Sequence, residues 1–232
     1  MAVCSASPEL FFHRGGNRVE SRPMKGTAAR GLWFEQDLEH ARRLLESDKE
    51  RSENVMIVDM VRNDLGRVAR PGSVRVTSLF DVERYPSVLQ LTSTVAADTD
   101  ARLVDLMRAL FPAESITGAP KARTMEIISA MECLPRRIYT GTIGFVEPSG
   151  RSQFNVALRT VLVNRVTGEA EYGIGGGIVA DSNRSDEWND SQVKARALTA
   201  RPPSFELLET VLWMPEGGYL LLGRHMKRRP LG

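Results

Sequence analysis

Two pairs of carboxylates recur at helical spacing in this chain. Glu50 and Glu53 lie three residues apart, and so do Glu187 and Asp190. A separation of three residues puts both members of a pair on one face of a helix. If the two pairs converge, they repel one another unless a divalent cation lies between them, and oxygen ligands of this kind suit Mg²⁺. Two solvated acidic helix faces are the alternative, which the spacing alone favours.

Lys25 is the candidate nucleophile. It lies in the segment PMKGT, where a proline and a glycine let the backbone bend sharply. A lysine in a partly desolvated pocket can lose its proton and act as a nucleophile or a base, although a lysine beside a glycine is more often an ordinary surface residue. His13, His40 and His225 show neither zinc-site spacing nor a nucleophile motif. Acid–base or covalent chemistry therefore falls to carboxylates, lysine or tyrosine.

Three consecutive glycines, Gly175, Gly176 and Gly177, end a strand pattern. Glycine weakens a strand, so we expect close backbone approach there, with N–H groups able to bind a carboxylate or a phosphate. A bulge or a flexible turn is the alternative. No helix in the required register follows, which excludes a dinucleotide-binding fingerprint.

Polar side chains also follow two other strand patterns. Along residues 154–159 apolar and polar side chains alternate, so Arg159 points away from the apolar face, where it could bind a carboxylate through two hydrogen bonds. Tyr139 places a hydroxyl just before another glycine-containing strand. A surface position is the commoner explanation for Arg159, and the Tyr139 signal is weak by itself.

The segment SITGAPK, Ser115 to Lys121, predicts the entrance of a helix over 119–133, with a proline near the first turn. Free amides and the positive end of the helix dipole suit an anion there. An ordinary capped helix is the alternative explanation.

The elements that must position these residues follow from periodicity. A helical pattern runs from Gln36 to about Leu65, although Val55–Val58 could equally be a buried strand. Residues 7–34 are predicted to be extended or loop-like. The other predictions are helices over 98–110 and 182–200, and strands over 74–77, 138–146, 152–163 and 169–179. Pro202 and Pro203 end the last helix and mark a domain boundary, after which about 30 residues are too few for an independent core.

Composition excludes several classes of protein. The chain has 232 residues, 42% hydrophobic and 26% charged, with a net charge of +2 and scattered basic residues, which argues against nucleic-acid binding. No apolar run approaches the roughly 20 residues of a membrane span, and the first residues given do not predict a secretory signal. Cys4 and Cys133 lack metal-ligand spacing, which indicates reduced thiols in a cytoplasm.

Seven ordered segments resemble the chorismate-utilising enzymes over residues 7 to about 200. They are SPELFF, PMKGTAARG, SDKERSENVMIVDMVRNDLGRV, SITGAPKARTMEII, YTGTIGF, NVALRT and GGGIVADS. The resemblance implies an α+β fold of large antiparallel sheets flanked by helices, with the N-terminal part of the family incomplete. It also implies binding of chorismate, with Mg²⁺ on the ring carboxylate.

The resemblance assigns roles to individual residues. Glu50, Glu53, Glu187 and Asp190 match the metal-site acids. Tyr139, Arg159 and the backbone of Gly175, Gly176 and Gly177 match the contacts to substrate carboxylates, and Ser115 and Thr117 line the same pocket. Two departures accompany these matches: Gln90 stands where many relatives carry His, and Asp190 replaces the usual Glu.

Lys25 distinguishes branches of the family. The PxKGT form resembles aminodeoxychorismate synthase component I, whereas anthranilate synthases carry a segment like PIAGT. The implied mechanism is covalent: Lys25 adds at ring C2 while the C4 hydroxyl leaves, assisted by an acid assigned to Glu126, and ammonia then enters at C4. Ammonia would come from a separate glutamine amidotransferase subunit, because no cysteine-based glutaminase motif is present.

The C-terminal segment 201–232 resembles the opening of aminodeoxychorismate lyase, as in a synthase–lyase fusion truncated at both ends. It holds no candidate Schiff-base lysine or phosphate cup, so neither pyridoxal phosphate nor lyase activity is expected. The alternatives for residues 1–200 are an anthranilate or isochorismate synthase of the same family, or a non-catalytic remnant that binds chorismate or an amidotransferase.

Overall fold

The computed structural model describes residues 1–86, 88–179, 182–199 and 211–227. The chain divides into two compact units, Met1–Leu198 and Thr199–Gly232. Pro202 and Pro203, at the boundary predicted from the sequence, lie outside the described residues.

A seven-stranded antiparallel sheet forms the centre of the first unit, in the order β4-β6-β3-β2-β8-β7 with β5 also paired to β6. Its strands are β2 Leu10–Gly15, β3 Arg18–Arg22, β4 Met24–Ala29, β5 Arg75–Arg84, β6 Val88–Asp98, β7 Thr142–Val146 and β8 Ser152–Val156. A smaller three-stranded sheet joins β1 Ala2–Ser5, β9 Thr160–Val163 and β10 Ala170–Tyr172.

Strand β6 organises the larger sheet. Strand β5 pairs with one edge of β6, and both β3 and β4 pair with the other edge, each with a different half. Only Pro23 separates β3 from β4, and its carbonyl accepts a hydrogen bond from the Ser93 backbone N–H at 3.2 Å. A proline has no N–H to donate, so it suits a point where one strand ends and the next begins.

Helices α1 Phe34–Glu46 and α2 Asp48–Gly66 pack beside this sheet. The Ser47 side chain caps α2 by accepting a hydrogen bond from the Glu50 N–H at 3.3 Å. The main core joins the buried face of α2 to the sheet and to α3 Leu103–Leu110. Its buried residues are Phe11, Phe12, Val19, Ile57, Val58, Val61, Leu65, Val95, Ala97, Leu106, Leu110, Ala113 and Val156.

The remaining helices of this unit carry the motifs noted in the sequence. They are α4 Glu114–Thr117, α5 Lys121–Met131 and α6 Arg184–Thr199. The second unit contains β11 Trp213–Met214, β12 Gly218–Tyr219 and α7 Leu222–Lys227. Within the described residues, the helices are all too short or too polar to cross a membrane.

The α+β prediction is confirmed, and several predicted boundaries need correction. The ambiguous run Val55–Val58 is helical, inside α2. The predicted helix 98–110 begins only at Leu103, because Asp98 still belongs to β6. The predicted strand 152–163 is interrupted: β8 ends at Val156, and Arg159 has a positive φ of 46° before β9 begins. The strand alternation therefore does not extend to Arg159.

Candidate active site

Lys25 lies on β4 at an irregularity of the sheet. The register between β4 and β6 shifts between Met24 and Thr27, and Gly26 has a φ of 102°. A bulge of this kind redirects a side chain, and the left-handed region favours glycine. Buried Asn54 fixes the backbone of Lys25: its amide donates to the Lys25 carbonyl at 3.3 Å, and its side-chain oxygen accepts from the Ser93 hydroxyl at 2.6 Å.

The Lys25 ammonium contacts acids of helix α2. Its Nζ lies 3.0 Å from Glu53 Oε2, and the side chains of Lys25 and Glu53 are 30% and 18% exposed. Glu50 lies one turn earlier, and a Cβ added to Gly26 would be 3.0 Å from Glu50 Oε2. Burial and the neighbouring Glu53 raise the pKa of the Glu50 carboxyl. The first carboxylate pair therefore faces the candidate nucleophile.

The glycine run connects Lys25 to the rest of the predicted site. A Cβ added to Gly175 would lie 2.9 Å from the Tyr139 hydroxyl, and one on Gly177 would lie 3.3 Å from Lys25 Nζ. Between them, a Cβ on Gly176 would lie 3.0 Å from Glu187 Oε2 and 3.7 Å from Asp190 Oδ2. Glycine is needed where backbone and side chains approach this closely. The structure thus brings Tyr139, Lys25 and the second carboxylate pair to one stretch of backbone.

Helix α6 holds the second pair and adds a lysine that the sequence analysis missed. Ser182 Oγ donates to Glu187 Oε1 at 2.7 Å. Lys194 Nζ lies 2.5 Å from Asp190 Oδ2 and donates to the Gly175 carbonyl at 3.2 Å. The spacing of four residues between Asp190 and Lys194 is the signal that could have identified this pair.

The four predicted metal-site acids do not converge into one group. Among residues 1–86, 88–179, 182–199 and 211–227, no three His, Cys, Asp or Glu side chains come close enough to hold a metal ion. Glu53 pairs with Lys25, and Asp190 pairs with Lys194. Close carboxylates repel one another, and one acid of each pair contacts a lysine ammonium that offsets this repulsion. The donor chemistry still fits Mg²⁺, because all four side chains supply carboxylate oxygens and Gly176 leaves the space beside Glu187 free of a side chain.

Glu9 is a site residue that the sequence analysis did not select. It is 7% exposed and accepts a hydrogen bond from Ser115 Oγ at 2.5 Å. Burial raises the pKa of the Glu9 carboxyl to about 7, and the Ser115 hydrogen bond and the charge of Lys25 oppose that rise. Its signal in the sequence is an acid placed directly before the apolar run Leu10-Phe11-Phe12. A buried carboxyl with such a pKa can donate or accept a proton near neutral pH.

Glu126 lies apart from this cluster, which corrects its assignment as the acid. It projects from α5 with 66% of its side chain exposed, and pairs with Arg123 at 2.7 Å. None of the eleven residues of α5 is buried. An exposed carboxylate bound to an arginine is poorly placed to give a proton to a buried leaving group.

The other residues noted in the sequence, Thr117, Arg159 and Gln90, lie in different parts of the first unit. Thr117 lies at the end of α4, where its hydroxyl donates to the Ala113 carbonyl at 3.3 Å. Arg159 is exposed at the break between β8 and β9. Gln90 donates to the Gly26 carbonyl at 2.9 Å, so the residue that replaces His supports the backbone beside Lys25.

The helix entrance predicted as an anion site begins with a lysine that binds two acids of the chain. Pro120 is the N-cap of α5, and Lys121 is its first residue. Lys121 Nζ lies 2.5 Å from Asp64 Oδ2 and 2.6 Å from Glu114 Oε1, and donates to the Leu110 carbonyl at 3.1 Å. Asp64 and Glu114 thus bind the Lys121 ammonium, and an anion site at the backbone N–H groups of this helix entrance stays a prediction.

Comparison with known proteins places these residues in a family. The family described as chorismate binding enzyme matches residues 1–200. An aminodeoxychorismate synthase component 1 of Salmonella typhimurium is 44% identical over 192 residues, which is 82% of this chain and 42% of that protein. An anthranilate synthase component 1 of Streptomyces coelicolor is also 44% identical, over 200 residues, 84% of this chain and 38% of that protein.

A solved structure agrees in fold. The crystal structure of anthranilate synthase component I from Streptococcus pneumoniae TIGR4 matches with a TM-score of 0.77 and 32% identity, covering 85% of this chain and 43% of that one. The chain thus spans about two fifths of the length of these relatives. With the family matched along residues 1–200 and the fold shared, the chain belongs to the chorismate binding enzymes.

Proposed function

We propose that the chain carries the chorismate site of an aminodeoxychorismate synthase component 1, which converts chorismate and ammonia to 4-amino-4-deoxychorismate for para-aminobenzoate and folate synthesis. The observation that carries the proposal is the placement of Lys25: its ammonium lies 3.0 Å from Glu53 and beside the backbone of Gly177. Overall identity does not choose between synthases, since the aminodeoxychorismate and anthranilate relatives are each 44% identical. The nucleophile at position 25 is the feature that favours an aminodeoxychorismate synthase.

The proposed reaction has two displacement steps. After Lys25 loses its ammonium proton to solvent, its amine forms a bond to ring C2 while both ring double bonds shift and the C4–O bond breaks. Protonated Glu9 gives its proton to the departing hydroxyl, which leaves as water. Ammonia then bonds to C4, the C2–N bond breaks to release the Lys25 amine, and the Glu9 carboxylate takes a proton from the new ammonium group. A pKa of about 7 lets Glu9 serve in both directions.

The surrounding residues would bind and orient the substrate. The Gly175–Gly177 backbone, Tyr139, Thr117 and Arg159 are the proposed contacts to the chorismate carboxylates. Glu50, Glu53, Glu187 and Asp190 would hold Mg²⁺, which when bound supplies positive charge to a substrate carboxylate. Holding the ring beside Lys25 makes the attack effectively intramolecular.

A partner is part of the proposal. The relatives are named component 1, which implies a second component. We propose a glutamine amidotransferase subunit that supplies ammonia. Cys4 and Cys133 are free thiols, in keeping with a cytoplasmic location.

The test is product analysis with chorismate, ammonium and Mg²⁺. We expect 4-amino-4-deoxychorismate from the parent chain. Lys25→Ala should lower its formation at least about 1,000-fold, because the covalent step is lost while the binding contacts remain. Calorimetric binding of chorismate should persist in that variant.

Exposed Arg165 offers a control for the loss of a positive charge, and Arg165→Ala should keep the parental rate. Anthranilate or isochorismate as the product would refute the proposed activity in favour of another synthase of the family. Chorismate binding without any turnover by the parent would indicate a non-catalytic chorismate-binding chain. A parental rate in Lys25→Ala would eliminate the covalent step.

A further inference from the structure

Lys121 joins three helices through a buried ion-pair cluster. Its ammonium contacts Asp64 of α2 at 2.5 Å and Glu114 of α4 at 2.6 Å, and its own residue begins α5. The side chains of Lys121, Asp64 and Glu114 are 19%, 7% and 5% exposed. The Leu110 carbonyl takes the third ammonium hydrogen at 3.1 Å. An ammonium has three N–H donors, so Lys121 is fully satisfied.

Charge balance explains how two acids share one lysine. Burial, and then the hydrogen bond with Asp64, raise the pKa of the Glu114 carboxyl to about 8. Glu114 therefore keeps its proton at neutral pH, while Lys121 and Asp64 form one ion pair. Without Lys121, buried Asp64 would keep, among the described residues, only the exposed Arg67, 3.7 Å away, so the contacts of Lys121 hold the members of the cluster in place.

Ser115 follows Glu114 directly, and it is the residue that contacts Glu9. Helix α4 has only four residues, Glu114–Thr117, too few to be stabilised by their own hydrogen bonds. The Glu114 side chain at 2.6 Å from Lys121 therefore anchors the segment. Ser115 then donates to Glu9 at 2.5 Å from that anchored position.

Glu9 and the acids bound to Lys121 line the same cavity. It measures about 20 Å³, enough for one water molecule, and Glu9, Asp64, Glu114 and Ser115 all line it. The second oxygen of Glu114, Oε2, has no hydrogen-bond partner among the described residues. The cluster and Glu9 therefore border the same buried space.

We propose that Lys121 is a positioning residue for Glu9: its ion pairs with Asp64 and Glu114 fix α4 so that the Ser115 hydroxyl stays on the Glu9 carboxylate. The charged groups facing Glu9 are Lys25 on β4 and, across the cavity, Asp64 on α2 and Glu114 on α4. The catalytic consequence rests on the proposed function, in which Glu9 transfers the proton. The titration of Glu9 can be read without turnover.

The test follows the Glu9 carboxyl by NMR in the full chain labelled with carboxyl-¹³C glutamate, with Glu9→Gln to assign the signal. The parent midpoint should lie near 7. The Ser115 hydrogen bond lowers the pKa of Glu9, so Ser115→Ala should raise the midpoint by about one pH unit, the size of one lost charge-assisted hydrogen bond. Ser115→Thr keeps the hydroxyl and should stay near the parental midpoint.

Two double variants separate positioning from the charge of Lys121. If Lys121 acts through Ser115, Lys121→Met should raise the midpoint, and adding it to Ser115→Ala should produce no further rise. Lys121→Met combined with Asp64→Asn removes one charge of each sign and should still raise the midpoint. A parental midpoint in this charge-balanced variant, or additive shifts in Ser115→Ala with Lys121→Met, would overturn the proposal.

Circular dichroism checks that each variant is folded. If Lys121→Met does not fold, the charge-balanced pair carries the test, and Glu114→Gln, which mimics the protonated carboxyl, should keep the parental midpoint. In turnover assays the charge-balanced pair should shift the pH profile of kcat with little change in KM. If the parent chain shows no turnover while the Glu9 midpoints of the variants shift as expected, the proposed function is refuted and the positioning of Glu9 stands.

Discussion

Lys25 and Lys121 each lie beside two acids, but the protein binds the hydrogens of their ammonium groups to different extents. Lys121 contacts two carboxylates and a carbonyl within 3.1 Å. Lys25 contacts Glu53 at 3.0 Å, and its ammonium also lies against the side-chain-free backbone of Gly177. Lys25 is also the more exposed, at 30% against 19%.

The difference shows that proximity to acids alone does not identify a nucleophile. A reactive lysine must be able to lose a proton and be approached by a substrate. Every hydrogen of the Lys121 ammonium is bound by the protein, so its contacts serve structure. The Lys25 ammonium has one ion-pair partner within the described residues and an open backbone beside it, so its contacts leave room for a substrate.

Removing each lysine should separate the two roles most strongly. Lys121→Met leaves buried Asp64 with only the exposed Arg67, 3.7 Å away, as a cation in the described part of the chain, and should lower the free energy of unfolding by about 3 kcal/mol. Lys25→Met breaks a partly exposed pair and should cost less than about 1 kcal/mol. Urea denaturation of both variants at pH 7 measures the difference.

Asp64→Asn combined with Lys121→Met is the control for that experiment. Because it also removes the buried charge of Asp64, it should recover part of the stability lost in Lys121→Met. If Lys25→Met destabilises the chain as much as Lys121→Met, the distinction between a structural and a reactive lysine fails.

The sequence identified the Lys25 side of this comparison far better than the Lys121 side. PMKGT and the glycine run are local signals, because a bulge and a close backbone approach both require glycine. The partnership of Lys121 with Asp64 spans 57 positions, and the Ser115 contact to Glu9 spans 106. Such contacts depend on how α2, α4 and β2 pack together, which local periodicity does not encode.

Errors of the sequence analysis have the same origin. The sequence pattern does not predict strand β6, which organises the sheet. Its motif suggests Glu126 as the acid, but α5 leaves that side chain exposed. The spacing of each carboxylate pair was read correctly as one helix face, in α2 and α6. Whether two such faces meet around one cation is a tertiary property that spacing does not determine.

A side chain at Gly177 should test the open face of Lys25. In Gly177→Ala the added methyl would lie 3.3 Å from Lys25 Nζ. We expect turnover to fall by about 10–100-fold, since small misplacements of reacting groups have effects of that order, with little loss of stability. Steady-state kinetics and thermal unfolding of the same preparation measure both.

Gly66→Ala is the matched control, because nothing lies within 4 Å of a Cβ at Gly66 at the end of α2. It should be neutral or slightly stabilising. Parental turnover in Gly177→Ala would mean that the substrate does not approach Lys25 past the glycine run, and the contrast with Lys121 would then rest on exposure alone.

The protons held on the Lys121 side should make the stability of the chain depend on pH. The pKa of Glu9 is raised from 4.5 to about 7 and that of Glu114 from 4.5 to about 8. Between about pH 4.5 and 8 the folded chain therefore binds protons that the unfolded chain has released. The free energy of unfolding should fall as pH rises through this window, by about 1.4 kcal/mol per pH unit for each carboxyl that is protonated only in the folded chain. Groups with lowered pKa values, such as Glu39 at about 2, act in the opposite direction but below pH 5.

Urea unfolding at several pH values from 5.5 to 8.5 measures this slope, and Glu114→Gln should make it shallower because glutamine carries no proton to lose. Exposed Glu126 supplies the matched control, since Glu126→Gln should leave the slope unchanged. A parental stability that stays flat or rises over this range would mean that Glu9 and Glu114 are ionised in the folded chain. Lys121 would then neutralise two carboxylates instead of one, and the two lysines would differ in exposure but not in the balance of charge around them.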